Sequence, residues 1–186
     1  MSVLVIWSSP NENGLTAKCK SAAVGGVLEF NMTCDEIPLN RLSIQRCQVC
    51  DSGYGQCAEG SCVLNDEMNR VYKMMAEADG IILVTPVYWH DPSEPMQALL
   101  DRVRRCDCKK NHWLKDKKIM LVACAGGSGN GAIHCLETLE MTMKHMGANV
   151  RERLPVTRFS QDYMPLAIRA AAWQLCCEIV EENTAG

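Results

Sequence analysis

The sequence contains no long hydrophobic run, no leader-like N-terminus, no internal repeat and no surplus of positive charge. A bilayer-spanning helix needs about 20 consecutive apolar residues. The run Ile81–Val84 falls far short of that, so no membrane partner is expected. The opening residues MSVLVIWSSP lack the basic and apolar regions of a signal peptide, and the expected location is cytoplasmic. Without a repeat or a low-complexity linker, solenoids and flexible arrays are excluded. Nineteen Lys and Arg against 22 Asp and Glu leave a net charge of -3, which argues against nucleic acid as the main partner.

What is present is a globular composition. With 186 residues, 47% of them hydrophobic and 22% charged, the chain stands at the upper end of a usual single domain and can bury a sizeable core. Strand and helix signals alternate along it. VLVIW from Val3, GIILVTP from Gly80, KKIMLVACAGG from Lys117 and NVRERLPV from Asn149 read as strands. TAKCKSAAVGGVLEF, LNDEMNRVYKMMAEAD, PSEPMQALLDRVRRC, GAIHCLETLEMTMKHMGA and PLAIRAAAWQLCCEIVEEN read as helices. Met68, Val71, Met74 and Met75 share one face of the second helix, Asn65 or Asp66 can cap its start, and Gly147 stops the fourth. Continuous apolar strands separated by amphipathic helices belong to a parallel sheet covered on both faces. The expected fold is therefore α/β: a three-layer, doubly wound sheet of about five parallel strands, one domain over residues 1–186, with a Cys-rich insert at about 46–63.

Ligands of such sheets bind beyond the C-terminal strand ends. Three loops there carry unusual chemistry: Ser8 to Thr16, Thr85 to Asp91, and Ala125 to Ala132. The first, SSPNENGLT, runs into a helix start, where unpaired N–H groups and the helix dipole attract an anion. Ser9, Asn11, Asn13 and Thr16 add neutral donors; a plain polar turn with a cap is the competing reading. In the second, TPVYWHD, Tyr88 and Trp89 are adjacent and cannot both point inward from a strand, which leaves at least one to cover a planar ligand. The third, AGGSGNGA, has four glycines, so its amides can approach a ligand closely. It is not a G-x-G-x-x-G nucleotide fingerprint, since it follows a late strand and lacks the downstream acid.

SSPNENGLTAK, DGIILVTPVYW, ALLDR and GGSGNGA, in that order, resemble segments of the flavodoxin-like NADPH-dependent FMN reductase and iron-sulfur flavoprotein superfamily over nearly the whole chain. The resemblance implies that Ser8, Ser9, Asn11, Asn13, Gly14, Leu15 and Thr16 hold the FMN phosphate. It further implies that Pro86, Val87, Tyr88 and Trp89 flank the isoalloxazine ring, and that Ala125, Gly126, Gly127, Gly129, Asn130 and Gly131 contact its pyrimidine edge. Ser8 stands where many relatives have Gly, and Asn11 where many have Arg.

Twelve cysteines in a reducing compartment point to metal or redox chemistry before disulfides. In CQVCDSGYGQCAEGSC, the thiols Cys47, Cys50, Cys57 and Cys62 can wrap a [4Fe-4S] cluster or a tetrahedral zinc, or stand as reduced thiols. Iron-sulfur flavoproteins carry a compact cysteine motif at this place, between the second strand and the next helix. Their third cysteine usually falls where this chain has Gly53, so C-x2-C-x6-C-x4-C resembles a variant group. Cys19, Cys34, Cys124, Cys135, Cys176 and Cys177 read as small buried hydrophobes. Cys106 and Cys108 complete no metal site, and His90 adjoins the second loop without a nameable orienting partner.

The leading reading is an FMN-dependent oxidoreductase or electron-transfer flavoprotein that reduces a small acceptor such as a quinone or oxidant. By the resemblance it is a homo-oligomer, dimer or tetramer, with the cluster of one subunit near the flavin of another. The rival is a non-enzymatic binding module with a zinc-stabilised cysteine loop. Between Arg102 and Lys118, eight Lys and Arg stand against two Asp. A solvated basic surface is one reading of this stretch; a dock for a ferredoxin or for the phosphates of NAD(P)H is the other.

Overall fold

The computed structural model describes residues 1–50, 56–107 and 112–185. Five parallel strands form its sheet: β1 (Ser2–Trp7), β2 (Thr33–Pro38), β3 (Gly80–Tyr88), β5 (Lys118–Ala125) and β6 (Asn149–Thr157), in the spatial order β2-β1-β3-β5-β6. A two-residue β4 (Asp91–Pro92) folds back antiparallel on Val87 and Tyr88. Among the described residues the helices are α1 (Leu15–Glu29), α2 (Met68–Glu77), α3 (Glu94–Cys106), α4 (Ala132–His145) and α5 (Met164–Ala185).

The continuous apolar strands explain the three layers. Successive side chains point to opposite faces. Leu4, Ile6, Ile81, Leu83, Ile119 and Leu121 therefore pack against α2, α3 and α4, while Val3, Val5, Ile82, Val84, Met120 and Val122 pack against α1 and α5. On α2, Met68, Val71, Tyr72 and Met75 are buried and Met74 is half-buried, so Tyr72 joins the expected apolar face. Gly147, at φ +80°, stops α4 as expected.

Strand β2 is the element that apolar runs do not reveal. Only Ile37 is buried in TCDEIP, because an edge strand needs hydrogen bonds to a single neighbour and leaves most side chains in water. For the same reason Cys34 on β2 is half-buried; Cys177 on α5 is half-buried as well, and neither is the fully buried hydrophobe expected.

The order places β1 between β2 and β3, with α1 on one face and α3 on the other. The connections leaving β1 and β3 part in opposite directions and open a crevice between them. Trp7 is registered with Val84, and Thr85 with Ala123, so the loops after β1, β3 and β5 emerge side by side.

Candidate functional site

The first loop reaches α1 through hydrogen bonds of its own. Ser9 Oγ donates to the Asn11 carbonyl at 3.2 Å, and Asn11 Oδ1 accepts from the Asn13 N–H at 3.0 Å. The first helical bond runs from the Lys18 N–H to the Gly14 carbonyl, which leaves the N–H groups of Leu15, Thr16 and Ala17 without a helical acceptor. No side chain caps α1 and no acid stands in its first turn. The helix end is thus electropositive and uncompensated.

Two hydroxyls of this segment turn inward. Ser8 is buried: it donates to Thr85 Oγ1 at 3.1 Å and accepts from Ser93 Oγ at 2.7 Å. The Ser93 N–H donates to Thr85 Oγ1 at 3.1 Å. This trio pins the ends of β1 and β3 to the start of α3. Thr16, 5% exposed, bonds through its side chain to Cys124 on β5, which tends to lower that thiol's pKa. A hydrogen bond between the Cys19 and Cys124 thiols is the larger influence and holds Cys124 above the ordinary thiol range and Cys19 below it. Ser8 and Thr16 are therefore turned inward, while Pro10, Asn11, Glu12 and Asn13 are the exposed part of the loop.

The second loop is a strained hairpin. Trp89 and His90 have φ of 50° and 74°, the two central residues between Tyr88 and Asp91. A two-residue hairpin of the type I′ kind has positive φ at both centres, normally met by Asn-Gly or Asp-Gly. Bulky residues held there cost about 1–3 kcal/mol each and cluster at functional positions. The turn leaves Trp89 95% exposed and Tyr88 50% exposed, so both aromatics face outward.

The third loop locks the other two together. A Cβ on Gly131 would lie 2.7 Å from His90 Cα, and one on Gly126 would lie 3.7 Å from Leu15 Cδ2. Gly131 also has φ +83°, a conformation few other residues take. Val87, Trp89, His90, Ala125 and Gly127 to Asn130 enclose a cleft of about 360 Å³. A second hollow of about 770 Å³ shares His90, Gly129 and Asn130 with it and extends to His134, Glu137 and Tyr163. A further cavity of about 510 Å³ lies away from these loops, between α2 and Trp113, where Trp113 stacks on Tyr72 at 5.4 Å.

The described cysteines of the insert are Cys47 and Cys50, half-buried, and Cys57 and Cys62, buried. Gly53 lies outside the described residues, as do Cys108, Lys109 and Lys110. Burial pushes the Cys57 thiol up, and the nearness of Cys62, Cys47 and Cys50 pushes it further. Cys62, Cys47 and Cys50 thus stand near enough to Cys57 to disfavour its thiolate, and four sulfurs gathered in this way are a donor set for a cation. Among the described residues no three His, Cys, Asp or Glu side chains converge closely enough to hold a single metal ion. A single zinc needs its ligands around one point, whereas a four-iron cube takes its thiolates at separate corners.

The sequence reading missed the residues that close this insert. Arg102 is buried and paired with Asp66 at 2.5 Å. The available signal was its position, three residues after Leu99 and four before Cys106 on the buried stripe of α3. Arg102 is not the only cation of the basic stretch turned inward. Lys117 donates to the carbonyls of Ala76 and Ala78, and buried Lys118 pairs with Glu182.

The sequence profile of the NADPH-dependent FMN reductase family matches residues 1–159. An iron-sulfur flavoprotein of Methanosarcina thermophila is 32% identical over 135 residues, covering 70% of this chain and 66% of its own length. The chain spans 46% to 66% of the length of the first three curated relatives it matches. Among solved structures, an NAD(P)H:quinone oxidoreductase from Methanothermobacter marburgensis superposes with a TM-score of 0.76 at 17% identity, over 94% of this chain and 96% of that one. A flavodoxin from the domain Archaea superposes with a TM-score of 0.67 at 14% identity, over 96% and 99%. The last two likenesses establish a flavodoxin-like fold. Among the described residues no helix is long and apolar enough to cross a membrane.

Proposed function

This chain belongs to the NADPH-dependent FMN reductase family, and from that premise we propose that it is a single-domain, FMN-dependent oxidoreductase passing electrons to a small acceptor of the quinone type. The observation that carries the reading is the convergence of three loops at the C-terminal ends of β1, β3 and β5, with Gly131 against His90 and Gly126 beside Leu15. The residues suit the cofactor: an uncapped helix start without acids, a glycine loop whose close contacts leave no space for a Cβ at Gly131, and outward aromatics beside a cleft.

In this reading the N–H groups of Leu15, Thr16 and Ala17 hold the phosphate, the turn built on Ser9, Asn11, Asn13 and Gly14 keeps them accessible, and Ser8 anchors the loop from beneath. FMN, when bound, supplies two-electron chemistry with a nicotinamide and one- or two-electron chemistry with an acceptor. Tyr88 and Trp89, beyond Pro86 and Val87, cover the ring and exclude water from it. Backbone amides between Ala125 and Gly131 face the pyrimidine edge and stabilise negative charge there without an ionised side chain.

Cys47, Cys50, Cys57 and Cys62 would hold a [4Fe-4S] group supplying single electrons, a reading supported by the thiol crowding and by the iron-sulfur flavoproteins among the relatives. The donor is NAD(P)H or a ferredoxin, and the active form is a homo-oligomer. The test is anaerobic mixing of the flavin-loaded protein with NADPH or a reduced ferredoxin, followed by a benzoquinone. Bleaching of the yellow band by either donor and its return with quinone are expected. A flavin that neither donor reduces, or that quinone does not reoxidise, contradicts the assignment.

A further inference from the structure

The cysteine insert is closed by one guanidinium. Arg102 is 1% exposed, and its Nη1 and Nη2 donate to Asp66 Oδ2 and Oδ1 at 2.5 and 2.8 Å. Nη1 also donates to the Gln45 carbonyl at 3.0 Å, while Asp66 accepts the Gln45 N–H at 2.9 Å and the Met68 N–H at 3.2 Å. Gln45 stands two residues before Cys47 and Asp66 four residues after Cys62, so both stems of the insert are tied to the same buried pair. Asn69 completes the fastening: its Oδ1 accepts the Cys62 N–H and its Nδ2 donates to the Cys62 carbonyl, each at 3.1 Å.

Loop closure alone does not account for a charge in this place. Taking an ion out of water is costly even after relaxation, and apolar residues of similar volume often replace a buried pair without loss of stability. The guanidinium is also not saturated by Asp66 and Gln45. Its Nε–H is buried and finds no hydrogen-bond partner among the described residues. Cys62, fixed in place by Asn69, stands near enough to the guanidinium for its sulfur to favour the charged form of Arg102. Cys106, one helical turn on and buried, adds an apolar wall and no charge: burial, with lesser help from nearby Cys57 and Cys62, holds its thiol up to about 12.

We propose that Arg102 is a positioning residue of the four-cysteine site, closing the insert through Gln45 and Asp66 and presenting a charged donor to the Cys62 sulfur. The proposal rests on the cluster reading. Each electron entering a thiolate-bound cluster adds negative charge, and a cationic donor at one sulfur favours the reduced form, raising the reduction potential. The remainder of the pair, Asp66, keeps the local charge balanced and fixes the plane of the guanidinium by its two parallel bonds.

The test compares anaerobically purified wild-type protein with Arg102→Lys, Arg102→Met and the double variant Arg102→Met with Asp66→Leu, which removes both charges and leaves no buried carboxylate unpaired. Iron, sulfide and FMN per chain are measured first, then the cluster midpoint potential by redox titration followed in the visible and by electron paramagnetic resonance. The double variant is expected to retain FMN, and its cluster equilibrium to shift at least tenfold toward oxidised, about 59 mV for one electron. Arg102→Lys recovers part of the shift. If the double variant loses iron while it keeps FMN, retention of iron by Arg102→Lys supports the proposal, and loss of iron there too overturns the charge-specific role. Iron-loaded variants with an unmoved potential overturn it as well. Wild-type protein without iron or sulfide is a separate failure, of the cluster reading itself.

Discussion

Gly131 and His90 cannot both keep their places if Gly131 gains a side chain. A Cβ on Gly131 would stand 2.7 Å from His90 Cα and 2.9 Å from His90 Cγ, and the backbone there has φ +83°. The glycine loop and the strained hairpin are thus fitted to each other by contact, and the cleft between them depends on that fit.

Gly131→Ala is therefore expected to push the hairpin away and weaken FMN binding by at least about tenfold, the equivalent of roughly 1.4 kcal/mol. Gly25→Ala serves as the comparison, since a Cβ there meets nothing within 4 Å and the site is mid-helix, where Ala is favoured. Flavin fluorescence titration of the two apoproteins measures both. Equal affinities would mean that the fit of Gly131 to His90 does not shape the flavin site.

The phosphate assignment makes a different demand. Asn13→Asp places a negative charge one residue before Gly14, against the uncompensated start of α1, and Asn11→Ala removes the acceptor that shapes the turn. Each should weaken FMN by about tenfold, the worth of one charge-assisted hydrogen bond. Riboflavin, which has no phosphate, should lose far less to either. Parallel losses for the two flavins would take the phosphate out of this loop.

Trp89→Gly separates stability from function. Glycine accepts the positive φ of 50° at that turn without strain, so the fold should gain about 1 kcal/mol or more. Trp89 is 95% exposed and has little packing to lose. FMN affinity and the quenching of flavin fluorescence should fall together. A variant that melts higher and binds FMN unchanged would reduce Trp89 to an idle surface residue.

The basic stretch is narrower than its charge count implies. Arg102, Lys117 and Lys118 have internal partners, and Lys109 and Lys110 lie outside the described residues; Arg104 is exposed and Arg105 is half-buried. Reversal of exposed Arg104 to Glu should slow reduction by a ferredoxin and flatten its dependence on salt. Exposed charges steer over a screening length of about 30 Å at 0.01 M and about 10 Å at 0.1 M. Stopped-flow rates with ferredoxin and with NADPH across that range measure the effect. Rates from both donors that ignore salt and charge reversal would leave the stretch a solvated surface.

Much of this was legible in the chain because the informative residues signal locally. Ile81–Val84 and Ile119–Ala125 announce buried parallel strands by unbroken apolar content, and the doubly wound order follows from their alternation with helices. The loops announce themselves by Gly129, Gly131 and the adjacent Tyr88 and Trp89. Strand β2 did not, since its side chains face water. Nor did the inward turn of Ser8, which depends on Ser93 85 residues away, or the pairing of Arg102 with Asp66 across 36 residues. Long-range polar contacts follow no period in sequence; only a charge on an apolar helical stripe hinted at the second.

The most direct test of the central claim is a composition and absorption measurement on anaerobically purified protein. The account predicts about one FMN per chain with a yellow band bleached by dithionite, together with iron and sulfide in equal amounts that are retained on gel filtration. A colourless protein that cannot take up added FMN would contradict it.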